Sequence, residues 1–125
     1  MQVESYQWVG LLADDFEGTL RFFSQVLGFE LEDKDDDKVV AMFRLPSGQQ
    51  VEVFGPGNRD RKRKYRLMNG PVVGLQVPDV AAARRELIAQ GFEFVTEVEE
   101  SDDGASWAYF IGPDQRLYSI QNTGP

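Results

Sequence analysis

The 125-residue sequence contains neither cysteine nor histidine. The first absence removes disulfides, thiolate nucleophiles and cysteine-based zinc sites, and the second removes the commonest metal ligand and general base. Much of the usual enzyme repertoire is thereby excluded. Positive charge is also scarce, since 13 Lys and Arg stand against 21 Asp and Glu for a formal charge of −8. A broad basic face for nucleic acid or anionic lipid is not expected. No apolar run approaches the roughly 18 residues of a membrane span, and Met1 to Tyr6 lacks the basic and apolar regions of a secretory signal. A soluble, cytoplasmic protein is the expectation. What is present is 42% hydrophobic residues, enough for one domain with a core of its own.

The two halves of the chain repeat each other. Gly10-Leu11, Asp15 and Gly28-Phe29-Glu30 match Gly74-Leu75, Asp79 and Gly91-Phe92-Glu93, at an offset of 64 that drops to 63 across one deletion. Ala41, Phe43 and Pro46 match Ala108, Phe110 and Pro113 at an offset of 67. A single domain over 1–125 is expected, made of modules 1–55 and 71–125 joined by a basic loop, 56–70.

In the first copy, the apolar run 6–13 predicts a strand, and Asp14-Asp15 supplies a carboxylate for the start of a helix. Phe16, Leu20, Phe23 and Leu27 fall on one helical stripe, and Gly28 sits where a left-handed cap is wanted. Strands come next near 29–33, 38–45 and 49–55, separated by the turn Asp33-Lys34-Asp35-Asp36-Asp37 and by Pro46-Ser47-Gly48. The second copy predicts strands at 71–77, 92–98, 106–112 and 116–121, with Asp79 as cap, Val80, Ala83, Leu87 and Ile88 facing inward, and Glu99 to Gly104 as the acidic turn. Each unit therefore reads βαβββ. Between them, Pro56 to Asn69 has no clear periodicity and carries Arg59, Arg61, Lys62, Arg63, Lys64 and Arg66 against Asp60, a charge of +5 that leaves −13 on the remainder. It reads as a solvated linker or a lid.

The modules, the phrase Trp8-Val9-Gly10-Leu11-Leu12-Ala13-Asp14-Asp15 leading into Arg21-Phe22-Phe23-Ser24-Gln25-Val26-Leu27-Gly28-Phe29, and Pro113-Asp114 before the last strand resemble the vicinal oxygen chelate superfamily. That superfamily holds glyoxalase I, bleomycin resistance proteins and extradiol dioxygenases. The resemblance implies an α+β fold in which the two βαβββ modules form a curved mixed sheet around a cleft, with helices on the outer face. It also implies a homodimer. The metal-ligand positions of the family fall on Trp8, Glu52, Val72 and Ser119, of which only Glu52 can hold a divalent ion, so neither a metal nor another cofactor is expected.

Strand parity then assigns the cleft face. Trp8, Glu52, Gly10, Leu12, Gln50 and Phe54 share it, while Val9, Leu11, Val51 and Val53 turn to the helices. A hairpin closed by Pro46-Ser47-Gly48 sets Met42 opposite Glu52 and Arg44 opposite Gln50; the second copy sets Tyr109 opposite Ser119 and Trp107 opposite Gln121. The ligand-binding candidates are Trp8, Met42, Arg44, Glu52, Phe54, Gln76, Trp107, Tyr109, Ser119 and Gln121, with Leu117 as an apolar wall. Glu52 reads either as a ligand contact or as half of an ion pair with Arg44. The expected function is metal-free binding of an aromatic or cationic small molecule between aromatic rings. Two alternatives stand beside it: an enzyme of the same superfamily (lyase, isomerase or dioxygenase) with Glu52 as base and Arg44 or Tyr109 holding an oxyanion, and a protein-interaction module.

Overall fold

Apolar alternation produces most of the strands, and a carboxylate, Asp15 or Asp79, starts the helix of each repeat. The computed structural model describes residues 1–124. It divides into two units, one of residues Trp8–Pro71 and one that joins Met1–Gln7 to the chain from Val72 onward.

In the first unit, β1 (Ser5–Leu12) runs parallel to β4 (Gln50–Phe54), β3 (Val40–Arg44) lies antiparallel to β4, and β2 (Glu30–Asp35) is antiparallel to β3. The hairpin closes where the sequence placed it, with Leu45 N–H donating to Gln49 C=O and Gly48 N–H to Leu45 C=O, each at 2.8 Å. Its register sets Met42 opposite Glu52 and Arg44 opposite Gln50. Helix α1 (Phe16–Arg21) starts at Asp15, whose Oδ1 accepts from Gly18 N–H at 3.1 Å, and buries Phe16 and Leu20 against Ala41, Phe43 and Val53. Leu27, expected on the same stripe, is 46% exposed. The helix widens to a π turn over Phe22–Val26, in which Leu27 N–H reaches back to Phe22 C=O, and the added residue rotates the later side chains by about 100°.

The second unit repeats the plan. Strand β5 (Val72–Gln76) is parallel to β8 (Leu117–Asn122), β7 (Ser106–Ile111) is antiparallel to β8, and the two-residue β6 (Glu99–Glu100) pairs with β7. Tyr109 lies opposite Ser119 and Trp107 opposite Gln121, as strand parity requires. Helix α3 (Val80–Ala89) is capped by Asp79, which accepts from Ala82 N–H at 3.0 Å, and buries Val80, Ala83 and Leu87 against Ala108, Phe110 and Ile120. Ile88 is exposed rather than inward. The strand expected over 92–98 shrinks to a single bridge, Phe94 with Phe110. Its ladder stops at Thr96, whose hydroxyl, not a backbone carbonyl, accepts from Tyr109 N–H at 3.1 Å. The class is α+β, with α1 and α3 each packed on one face of its own sheet segment.

The basic segment is folded, not a solvated linker. It forms a 3₁₀ turn, Asn58–Asp60, and the short helix α2, Arg63–Arg66. Buried Asn58 anchors it: Nδ2 donates to the carbonyls of Lys38 at 3.0 Å, Val39 at 3.2 Å and Gly55 at 3.0 Å. Val39 is held at φ +53°, a conformation that β-branched residues avoid.

Candidate functional site

The face of the first unit away from α1 collects the residues that carry chemistry. Trp8 comes from β1, Met42 from β3, and Glu52 and Phe54 from β4; alternation along the strands sends their neighbours Val51 and Val53 to the helix side. The Trp8 indole lies flat over Gly10, so close that a Cβ at Gly10 would come within 2.1 Å of Cη2. Glycine is required here for this approach. Trp8 Nε1 donates to Glu52 Oε1 at 3.0 Å, and the indole meets Phe54 edge-on with ring centroids 6.5 Å apart. Phe54 in turn lies 4.9 Å from the Tyr65 ring, which α2 brings over. The aromatic face is closed over, not open, since Trp8 retains 6% of its exposure and Phe54 is equally buried.

Glu52 is the electrostatic centre of this group. Burial pushes its carboxyl from the ordinary 4.5 to about 7; the Trp8 hydrogen bond and the positive charge of Lys64 oppose that rise, and Asp33 adds to it. Lys64 is only 5% exposed, with Nζ 5.4 Å from the Tyr65 ring centroid. Sequence reasoning placed Lys64 in a solvated run of charge and missed it. A signal was there: Lys64 and the buried Met68 are four apart, with Tyr65 between them, a short inward stripe.

Arg44 does not form the expected pair with Glu52. It is exposed and bonds both oxygens of Glu32 at 2.8 Å, with a further bond to Gly48 C=O at 2.9 Å. Glu32 is the extra residue at the register shift between Leu31 and Asp33, and the irregularity brings it to Arg44.

In the second unit, Gln76, Trp107, Tyr109, Ser119 and Gln121 share the face opposite α3 with Leu117. Tyr109, Ser119, Gln121 and Leu117 are buried, and the Ser119 hydroxyl donates to Ile120 C=O at 3.4 Å. Gln76 Oε1 is buried with no hydrogen-bond partner among the described residues. Trp107 Nε1 donates to Glu99, so this carboxylate holds a ring instead of lying in a solvated turn. Each unit thus ties a tryptophan to a glutamate.

The family model described as Glyoxalase/Bleomycin resistance protein/Dioxygenase superfamily matches residues 5–117. The chain belongs to that superfamily. Among solved structures with the superfamily fold, methylmalonyl-CoA epimerase from Mycobacterium tuberculosis is 21% identical, with a TM-score of 0.74 over 98% of this chain and 90% of that one. A variant of Streptomyces coelicolor methylmalonyl-CoA epimerase in complex with 2-nitronate-propionyl-CoA is 17% identical, with a TM-score of 0.73 over 99% of this chain and 100% of that one. A superfamily member from Vibrio splendidus 12B01 is 20% identical, with a TM-score of 0.68 over 91% of this chain and 95% of that one. At these identities the likeness is one of fold. The comparison with curated proteins finds no match.

The positions that the resemblance gives as metal ligands carry side chains that do not fit a metal. Trp8 and Val72 offer no donor atom, Ser119 offers a neutral hydroxyl turned to a backbone carbonyl, and Glu52 already accepts from an indole and sits in the field of an ammonium. Among the described residues no three acidic side chains converge on one point.

Proposed function

We propose that the chain is a small-molecule-binding member of the superfamily, that its ligand sits against Trp8, Phe54 and Tyr65 with Glu52 as the polar contact, and that it binds without a divalent metal. The arrangement of Glu52 carries this reading. A carboxyl held by an indole N–H on the sheet face away from α1, within the field of a buried lysine, costs folding free energy, which is the mark of a group kept for binding or chemistry. The ligand class changes from the sequence expectation. With Lys64 positive and Glu52 titrating near neutrality, the group is neutral to singly positive, which favours a neutral or anionic aromatic molecule over a cationic one.

Titration with 2-naphthol, followed by tryptophan fluorescence, tests this. Saturable quenching whose half-saturation concentration rises in Phe54→Ala and in Tyr65→Ala, both of which keep the two tryptophans, supports the reading; half-saturation equal in all three proteins sinks it. A second reading is favoured by one observation, the titration of Glu52 near pH 7, which suits a group that takes and returns a proton. In that reading Glu52 is the base and Lys64, not Arg44, faces the developing oxyanion. Deuterium wash-in from D2O at the acidic C–H of acyl thioesters, present in wild type and lost in Glu52→Gln, would establish it. The protein-interaction alternative has no such observation behind it.

A further inference from the structure

We infer that the exposed cations of the 56–69 segment form an anion-binding strip that holds the phosphate-bearing end of a small molecule whose apolar end lies against the Trp8 face; the second half of this statement rests on the function just proposed. The segment is ordered: Asn58 fastens it to three carbonyls, and Arg61 Nη2 donates to Asp37 C=O at 3.1 Å. Its charge is therefore held at fixed positions. Arg59, Lys62 and Arg66 are exposed and make no ion pair among the described residues. Three cations outside the segment do meet carboxylates, Arg44 2.8 Å from Glu32, Lys34 3.3 Å from Asp36 and Arg84 3.3 Å from Glu97. In a protein with 21 acidic residues, gathering cations on fourteen residues and leaving three without carboxylates costs free energy through mutual repulsion. A bound polyanion removes that cost.

The position of the strip selects a small ligand over a macromolecule. Helix α2 carries Lys64 and Tyr65 toward Glu52 and Phe54, while Lys62, two residues before Lys64, and Arg66, just after Tyr65, are exposed. One molecule of modest length reaches both the aromatic face and the cations. Guanidinium forks match phosphate oxygens in pairs, and lysine adds a point charge, so a phosphorylated molecule fits better than one carrying a single carboxylate.

Calorimetric titration of the full chain with inorganic tripolyphosphate, at low and high salt, tests the inference. One-to-one binding is expected, weakened by salt and weakened roughly tenfold, equivalent to about 1.4 kcal/mol, in the triple variant Arg59→Gln, Lys62→Gln, Arg66→Gln. These side chains are exposed, and circular dichroism checks that the variant keeps the fold. The 2-naphthol titration, run in parallel on the same variant, should be unchanged. If tripolyphosphate fails to bind wild type, or binds the triple variant equally well, while 2-naphthol binds both, the strip is refuted and the proposed function survives. If 2-naphthol fails and tripolyphosphate binds as expected, the function reading falls and takes the bipartite ligand with it. Binding of poly-glutamate in place of tripolyphosphate would assign the strip to an acidic polypeptide and overturn the inference.

Discussion

Replacing Glu52 by glutamine should stabilise the protein above neutral pH and leave it nearly unchanged in acid. The native carboxyl titrates near 7, against 4.5 for an exposed one, because burial disfavours its charge more than Trp8 and Lys64 favour it. Between those two values the native state keeps a proton that the unfolded chain has lost. Wild-type stability therefore falls as pH rises through this window, by at most about 1.4 kcal/mol per unit, and the full shift amounts to about 3 kcal/mol. Glutamine has the same shape, cannot ionise, and still offers Oε1 to Trp8 Nε1. The assay is urea unfolding of both proteins by circular dichroism across this range. Taking the difference at each pH cancels the other acidic residues, which both proteins share. The stability of the variant relative to wild type should rise by about 3 kcal/mol from acid to pH 8, with the midpoint between 4.5 and 7. A flat difference, or one that falls with pH, would mean that the carboxylate is ionised and held by Lys64, and that desolvation does not control its charge.

Gly10→Ala should destabilise by about 1–3 kcal/mol, because the new methyl collides with the Trp8 ring; combined with Trp8→Ala, its additional cost should vanish in a double-mutant cycle read by urea unfolding. Asn58→Ala should release the basic segment and make the chain sensitive to limited trypsin digestion between residues 59 and 66, whereas a variant as resistant as wild type would show that the three carbonyl contacts do not hold the loop. Asp79→Ala, which removes the cap of α3, should cost about 1 kcal/mol in the same unfolding assay. Elemental analysis after dialysis against chelator should find no stoichiometric zinc, iron, manganese or nickel; one tightly held ion per chain, lost in Glu52→Gln, would contradict the mismatch between donor set and metal.

The positions that repeat between the halves are those that fold the chain. Ala41 with Ala108 and Phe43 with Phe110 are buried under the helices, Asp15 with Asp79 cap them, and Gly28 with Gly91 stop them at φ +74° and +96°. Turn chemistry and a period of two made strand register legible from the sequence as well. The opposite faces have diverged, with Trp8 against Val72, Glu52 against Ser119 and Phe54 against Gln121, and only part of the site there was legible. Its strand members are set by parity. Lys64 is not, because α2 has four residues, so that its one i, i+4 pair with Met68 hardly stands out from the charged run around it, and its burial depends on Asn58 clamping a loop to carbonyls distant in sequence. Arg44 was lost to a bulge, which parity counting passes over. The π turn escaped for the same reason, an inserted residue that shifts every later side chain.

The parallel pairing of β1 with β4 bears on the order in which the chain folds. Strands β3 and β4 meet across a short turn, a contact that forms in about 1–10 μs in isolated hairpins. Trp8 meets Gln50 only when the intervening chain has closed, so the first unit waits on a long loop whose entropy is lost before its reward arrives. Docking of β1 should then be late, with the contacts it brings, Trp8 on Gly10 and Trp8 to Glu52, forming after the hairpin. Substitutions on β1 should therefore speed the native protein's unfolding more than they slow its formation, which would make the Trp8 face the part that sets its lifetime.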